Sequence, residues 1–209
     1  MHKRFILVPV MWLMLAVTGC VSHRYLNPMK PTIPFPERLP AACLKACERL
    51  KLTPTPQVFV IQISSQRAAL YVDGEYDSQY RCSTSRYGIG QTEGSNCTPL
   101  GLHRIAEKIG AGERPGTVFK SREVVGHTSE PRYADAKITT RILWLDGMDP
   151  GFNRGGTVDS HSRYIYIHGT GDQASIGKPA SCGCTHLADP DLIKLFDLLP
   201  SGTMVWIER

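Results

Sequence analysis

Past its first seventeen residues the sequence has no apolar run approaching a membrane span, and nowhere in its 209 residues is there a block of five or more like charges, an internal repeat or a low-complexity tract. The missing charge blocks remove the footprint of a nucleic-acid binder. Lys and Arg number 24 against 19 Asp and Glu, and the resulting +5 is dispersed as a mildly basic, solvated surface. The length excludes a long multidomain assembly and suits one medium domain with its own core plus extras. The 19 Gly and 15 Pro are near average usage, but seven of the prolines fall between Pro28 and Pro56 and mark a linker.

What is present at the start is a leader. Lys3 and Arg4 precede an apolar run from Phe5 to Val17, the length of a signal-peptide core and short for a spanning helix. The run closes with Val17-Thr18-Gly19-Cys20, which resembles a bacterial lipobox. That resemblance implies a lipoprotein held to a bilayer by acylated Cys20, at the periplasmic or other extracytoplasmic face of the cell envelope. Residues 1–19 are then a signal peptide, and 20–40, with Pro28, Pro31, Pro34, Pro36 and Pro40, an extended tether.

In an oxidising compartment the seven cysteines are candidates for pairing. With Cys20 lipidated, Cys43, Cys47, Cys82, Cys97, Cys182 and Cys184 remain, and the sequence does not choose among their connectivities. Cys82 and Cys97 flank a Gly-rich loop, and a bridge there would close about fifteen residues, worth roughly 3 kcal/mol in the chain-entropy model. Cys43 and Cys47 share one face of a short helix expected within 41–56 and could pair with each other or elsewhere.

From Gln57 the pattern becomes short apolar runs bounded by turn residues: Val58 to Ile63, Ala68 to Val72, a turn at Asp73-Gly74, then Glu75 to Ser83. Further strands are expected at Gly101–Ala106, Val118–Val125, Thr139–Leu145, Tyr164–His168 and Thr203–Ile207. One late helix is expected after Asp189, with Asp189 as cap, Pro190 in the first turn and Pro200 as its stop. The fold class is therefore mainly β, sandwich- or barrel-like, with one late α-helix and a short N-terminal helix; residues 57–209 form the main domain.

The densest run of reactive side chains is Tyr164 to His186. An alternating Tyr/Ile strand delivers His168 to its end, and a small-residue turn presents Cys184 between Gly183 and Thr185. Acyl transfer through a thioester needs a thiolate, a base to generate it and main-chain donors for the oxyanion, which this grouping supplies.

These residues resemble the L,D-transpeptidases of the YkuD type. His168-Gly169-Thr170 stands for the family's HG[ST], Ser181-Cys182-Gly183-Cys184 for its S-H-G-C, and Thr98-Pro99-Leu100-Gly101 for its TPxG turn. The resemblance implies that Cys184 is the nucleophile and His168 its base, and that the amides of Gly183 and Cys184 form the oxyanion hole. It also implies a main-chain carbonyl, not a carboxylate, as the group orienting His168. Gly169, Thr170, Ser181, Cys182 and His186 are implied to contact substrate. The implied partners are peptidoglycan stem peptides and, as one acceptor, a lipoprotein; no cofactor and no metal are implied, and oligomeric state is not addressed. Cys182 replaces the family's His two residues before the nucleophile, and His186 replaces its usual Arg or Asn two residues after.

Two other classes compete. Cys182, Cys184 and His186 are zinc-type ligands, but their C-x-C-x-H spacing crowds one short turn. A catalytically lapsed wall-binding lipoprotein is the third reading. His103, His127 and His161 are expected to be surface or satisfied histidines, and Trp144 and Phe152 to pack in the core. Next to His168 the Cys184 thiol is expected to be acid-shifted, with Cys182 turned away and either packed or bridged to Cys43 or Cys47.

Overall fold

The structure is a computed structural model, and it describes residues 35–209. The leader, Cys20 and the prolines up to Pro34 lie outside the described residues. Ten strands form one sheet: β1 (Gln57–Gln62), β2 (Arg67–Val72), β3 (Glu75–Ser83), β4 (Gly101–Ile109), β5 (Thr117–Lys120), β6 (Glu123–His127), β7 (Thr139–Gly147), β8 (Tyr166–Gly169), β9 (Thr185–Leu187) and β10 (Met204–Glu208). The strand order is β4-β10-β1-β2-β3-β9-β8-β7-β5-β6, and β4 pairs again with β7. That second pairing closes eight strands into a barrel and leaves the β5–β6 hairpin attached beside β7.

Strand alternation sorts the side chains. Phe59, Ile61, Leu70, Ile105, Leu143, Leu145, Ile167, Leu187, Val205 and Ile207 join the main core with Leu192, Leu195, Phe196 and Leu199, so the apolar face of α2 (Asp189–Leu198) is part of that core. Helix α1 (Ala41–Arg49) buries Cys43, Ala46 and Cys47 against Val58, Val60, Ala69, Tyr71 and Met204, the other face of β1, β2 and β10. A third, smaller cluster is Phe119, Ile142, Trp144 and Tyr166 on the other face of β7 and β8. No helix among the described residues is long and apolar enough to cross a membrane.

The structure departs from the sequence pattern at several elements. The run Val118–Val125 is two strands, because Ser121 and Arg122 turn through positive φ (51° and 71°) and fold it into a hairpin. Strand β8 begins at Tyr166, since Tyr164 sits at φ 55°. The three-residue β9 was not expected at all. Asp189 is the first helical residue and Ala188 the cap, with no capping hydrogen bond, so the Asp189 charge serves the helix N-terminus.

The expected Cys82–Cys97 bridge is absent. Cys82 is fully buried in the main core, while the Cys97 thiol donates to the carbonyls of Tyr87 (3.2 Å) and Ser95 (3.4 Å). Nor does Cys182 bridge to the N-terminal helix: Cys43 and Cys47 are unbridged and buried under α1, whereas Cys182 is exposed. His103 is a satisfied core histidine, held by Gly101 O (3.0 Å) and Ser160 Oγ (2.9 Å). His161 stacks on the buried Trp144 at 4.0 Å, but Phe152 is 41 % exposed and so is not a core residue.

Candidate active site

Strand β8 pairs in parallel with β9, placing Ile167 opposite Thr185 and His168 opposite His186. Because Ile167 and Leu187 point into the main core, their neighbours His168 and His186 emerge together on the other face of the sheet. Their ring centroids are 4.7 Å apart. Cys184 immediately precedes β9 and packs against the third cluster. Sequence-local motifs are thus brought side by side by one short parallel ladder.

The His168 ring is fixed by its own strand end. Its Nδ1–H donates to the carbonyl of Gly169 at 2.7 Å, which leaves Nε2 as the basic nitrogen. Burial, then the neighbouring His186 ring, pushes its pKa down to about 3. His186 is pushed down to about 4 by burial and then by Lys137, and its Nδ1 has no hydrogen-bond partner.

The Cys184 thiol is parked on main chain: its S–H donates to Tyr164 O and its sulfur accepts from Tyr166 N–H, each at 3.4 Å. Burial raises its pKa to about 11, opposed by the Tyr166 N–H and by Arg163. The expected acid-shifted thiol is therefore not found. No hydrogen bond joins Cys184 to His168 among the described residues, and both groups rest neutral.

The turn carrying Cys184 is braced from three directions. Ser181 Oγ donates to Cys184 O (2.6 Å) and accepts from Gly183 N–H (3.3 Å), so this hydroxyl is committed to the turn. Gly183 has φ 120°, a conformation that side-chain-bearing residues resist. Thr98 Oγ1 donates to Gly183 O at 3.0 Å, which gives the TPxG turn a structural task. Arg163 donates to Gln91 O (2.7 Å) and Cys97 O (2.8 Å), holding the intervening loop beside the turn. No acceptor engages the Cys184 N–H among the described residues.

A cavity of about 250 Å³ opens at this place, lined by His168, Cys184, His186, Thr170, Ser181 and Cys182, together with Arg86, Lys137 and Asp172. Thr170 Oγ1 accepts from Asp172 N–H (3.2 Å). The exposed Cys182 sulfur accepts from Arg86 Nη2 at 3.5 Å. Cys182 also borders a second, smaller cavity of about 160 Å³ with Glu93, Arg163 and Tyr164. Arg86, Lys137, Thr98 and Arg163 were not singled out as site residues from sequence. Thr98 could have been, since it sits in a recognised turn; Lys137 carries no local signal. Among the described residues no group of three or more His, Cys, Asp or Glu is placed to hold a metal ion.

A model of the YkuD L,D-transpeptidase catalytic domain matches residues 56–207, and the chain belongs to that family. The YkuD protein of Bacillus subtilis (strain 168) is 44 % identical over 62 residues, covering 29 % of this chain and 38 % of that protein. Among solved structures, an L,D-transpeptidase from Mycobacterium smegmatis is similar at 17 % identity and TM-score 0.45, over 74 % of this chain and 59 % of that one. One from Xylanimonas cellulosilytica is similar at 19 % identity and TM-score 0.47, over 75 % and 62 %. The chain thus spans less than two thirds of the length of each of these relatives.

Proposed function

We propose that the protein is a cysteine-dependent peptidoglycan L,D-transpeptidase. The observation that carries this reading is the pairing, in one cavity, of Cys184 with an imidazole whose Nδ1 is committed to Gly169 O. His168 Nε2 is left to take a proton. In the resting pair both groups are neutral, so proton transfer accompanies attack instead of preceding it.

Cys184 Sγ attacks the carbonyl of the third residue of a stem tetrapeptide as its S–H proton passes to His168 Nε2. The Cys184 N–H is available to the developing oxyanion. The Gly183 N–H is turned to Ser181 Oγ and would have to leave it to serve as the second donor. Collapse breaks the C–N bond, the imidazolium protonates the departing D-Ala amine, and a thioester remains. An acceptor amine then attacks the thioester, loses its proton to His168, and the C–S bond breaks with the proton returned to sulfur. A stem-peptide amine gives a 3-3 crosslink, and a lipoprotein amine gives protein attachment. Water in the same step gives an L,D-carboxypeptidase or, on a lipoprotein linkage, a linkage-cleaving hydrolase; this second reading is motivated by Cys182 and His186 standing where the family has His and Arg or Asn. Anchoring through Cys20 at the envelope completes the proposal.

The test is mass spectrometry of tetrapeptide muropeptides incubated with the purified full chain. D-Ala release with a crosslinked product is expected; Cys184→Ala abolishes it and His168→Ala removes most of it. Normal turnover by either variant overturns the assignment.

A further inference from the structure

Two cations stand at the catalytic cavity without an anionic partner. Arg86 is exposed, and the one polar side-chain contact of its guanidinium among the described residues is the sulfur of Cys182, a weak acceptor. Lys137 lines the same cavity and makes no ion pair among the described residues. Asp172 is the one acid of the lining. A guanidinium presents a planar fork of donors that matches a carboxylate bidentately, and a carboxylate displaces a thiol from it readily.

The reaction proposed above places a carboxylate close by. When a single residue leaves, its terminal carboxylate lies one residue from the attacked carbonyl, within about 4 Å along the chain. Arg86 is tethered to the Cys184 turn at two residues, its guanidinium to Cys182 Sγ and its own N–H to Ser181 O (3.1 Å). It therefore borders the cavity that the attacked peptide, with that carboxylate, must enter to reach Cys184.

We propose that Arg86, assisted by Lys137, binds the free C-terminal carboxylate of the acyl donor and thereby selects peptides that end one residue beyond the attacked carbonyl. This rests on the transpeptidase reading. Cys182 holds the guanidinium in place until substrate arrives, which gives a task to a residue that replaces the family's histidine.

The proposal is tested by comparing kcat/KM for a stem tetrapeptide and for its C-terminal amide. The wild type is expected to prefer the free acid by roughly tenfold or more. Arg86→Ala is expected to collapse that preference, mainly through KM for the acid, with Arg86→Lys retaining part of it and Lys137→Ala losing less. An equal loss on both peptides, with the thermal midpoint lowered, makes Arg86 merely structural and overturns the proposal. A second readout does not depend on turnover: the rates at which iodoacetate and iodoacetamide alkylate Cys184 at pH 9, located by peptide mass spectrometry. A ratio several-fold above that of free cysteine, falling in Arg86→Ala, supports the anion site. An unchanged ratio overturns it. If the wild type turns over neither peptide while the alkylation ratio behaves as expected, the transpeptidase reading fails and the anion site stands.

Discussion

The hydroxyl of Thr98 donates to the carbonyl of Gly183, one residue before Cys184, and accepts from the N–H of Ser85, both at 3.0 Å. Thr98 is fully buried, so both bonds are sheltered from water. Thr98→Val preserves shape but leaves two buried main-chain groups without this partner, a cost of about 1–3 kcal/mol. The expected result is a lowered thermal midpoint and at least a roughly tenfold loss of D-Ala release. Full activity in this variant would show that the turn holds itself.

Gly169 has no room for a methyl group: a Cβ there would lie 2.7 Å from Asp189 Oδ1 and from Thr139 Oγ1, and 2.8 Å from Thr139 O. Gly169→Ala must displace the strand end whose carbonyl holds His168 Nδ1. We expect about 1–3 kcal/mol of destabilisation from overpacking and a fall in kcat larger than any rise in KM. An increase in KM alone would mean that His168 had kept its orientation.

The two neighbouring thiols should separate in a pH series of alkylation on the native protein. Burial raises Cys184 to about 11, so its rate should be low at neutral pH and climb steadily above pH 9. Cys182, exposed beside Arg86, should be labelled first at pH 7. A fast Cys184 reaction that levels off below pH 8 would contradict the buried, parked thiol described above.

Acid should destabilise the fold well before its carboxylates titrate. His103, His168 and His186 are buried, and burial lowers them to about 4, 3 and 4 from an ordinary value of 6.5. Below 6.5 the unfolded chain takes up protons that the folded one refuses, so stability is full above that pH and falls as pH drops toward 4. Each such histidine contributes a slope of about 1.4 kcal/mol per pH unit once the unfolded chain is protonated. Urea unfolding at pH 7.5 and 5.0 checks this, with a lower midpoint expected at pH 5.0; equal midpoints would mean that the imidazoles are solvated.

That His168 and Cys184 meet in one cavity was legible because both are sequence-local: His168 lies near the end of one strand and Cys184 in a small-residue turn sixteen residues on. Glu75–Ser83 and the late helix were legible because turn residues and prolines bound them. Strand β9 was not, since three residues carry no periodicity and its pairing with β8 is a tertiary event. The Cys82–Cys97 expectation failed for a similar reason. Flanking a loop in sequence does not bring two thiols together when one points into a barrel. Lys137 and Arg86 reach the cavity from segments far apart in the chain, and only the barrel brings them there.

Strand β10 is the last in sequence, yet it lies between β1 and β4, parallel to the first and antiparallel to the second. The order of assembly follows from that position. Strands β1, β2 and β3 can zip together as successive hairpins while the chain is being made, but β1 and β4 then both wait with unsatisfied edges until Met204–Glu208 arrives. Such a long-range closing step makes folding slow and leaves the partly made chain prone to edge-to-edge association. A chaperone that shields β1 or β4 would be needed most in the interval before Met204–Glu208 can pair with them.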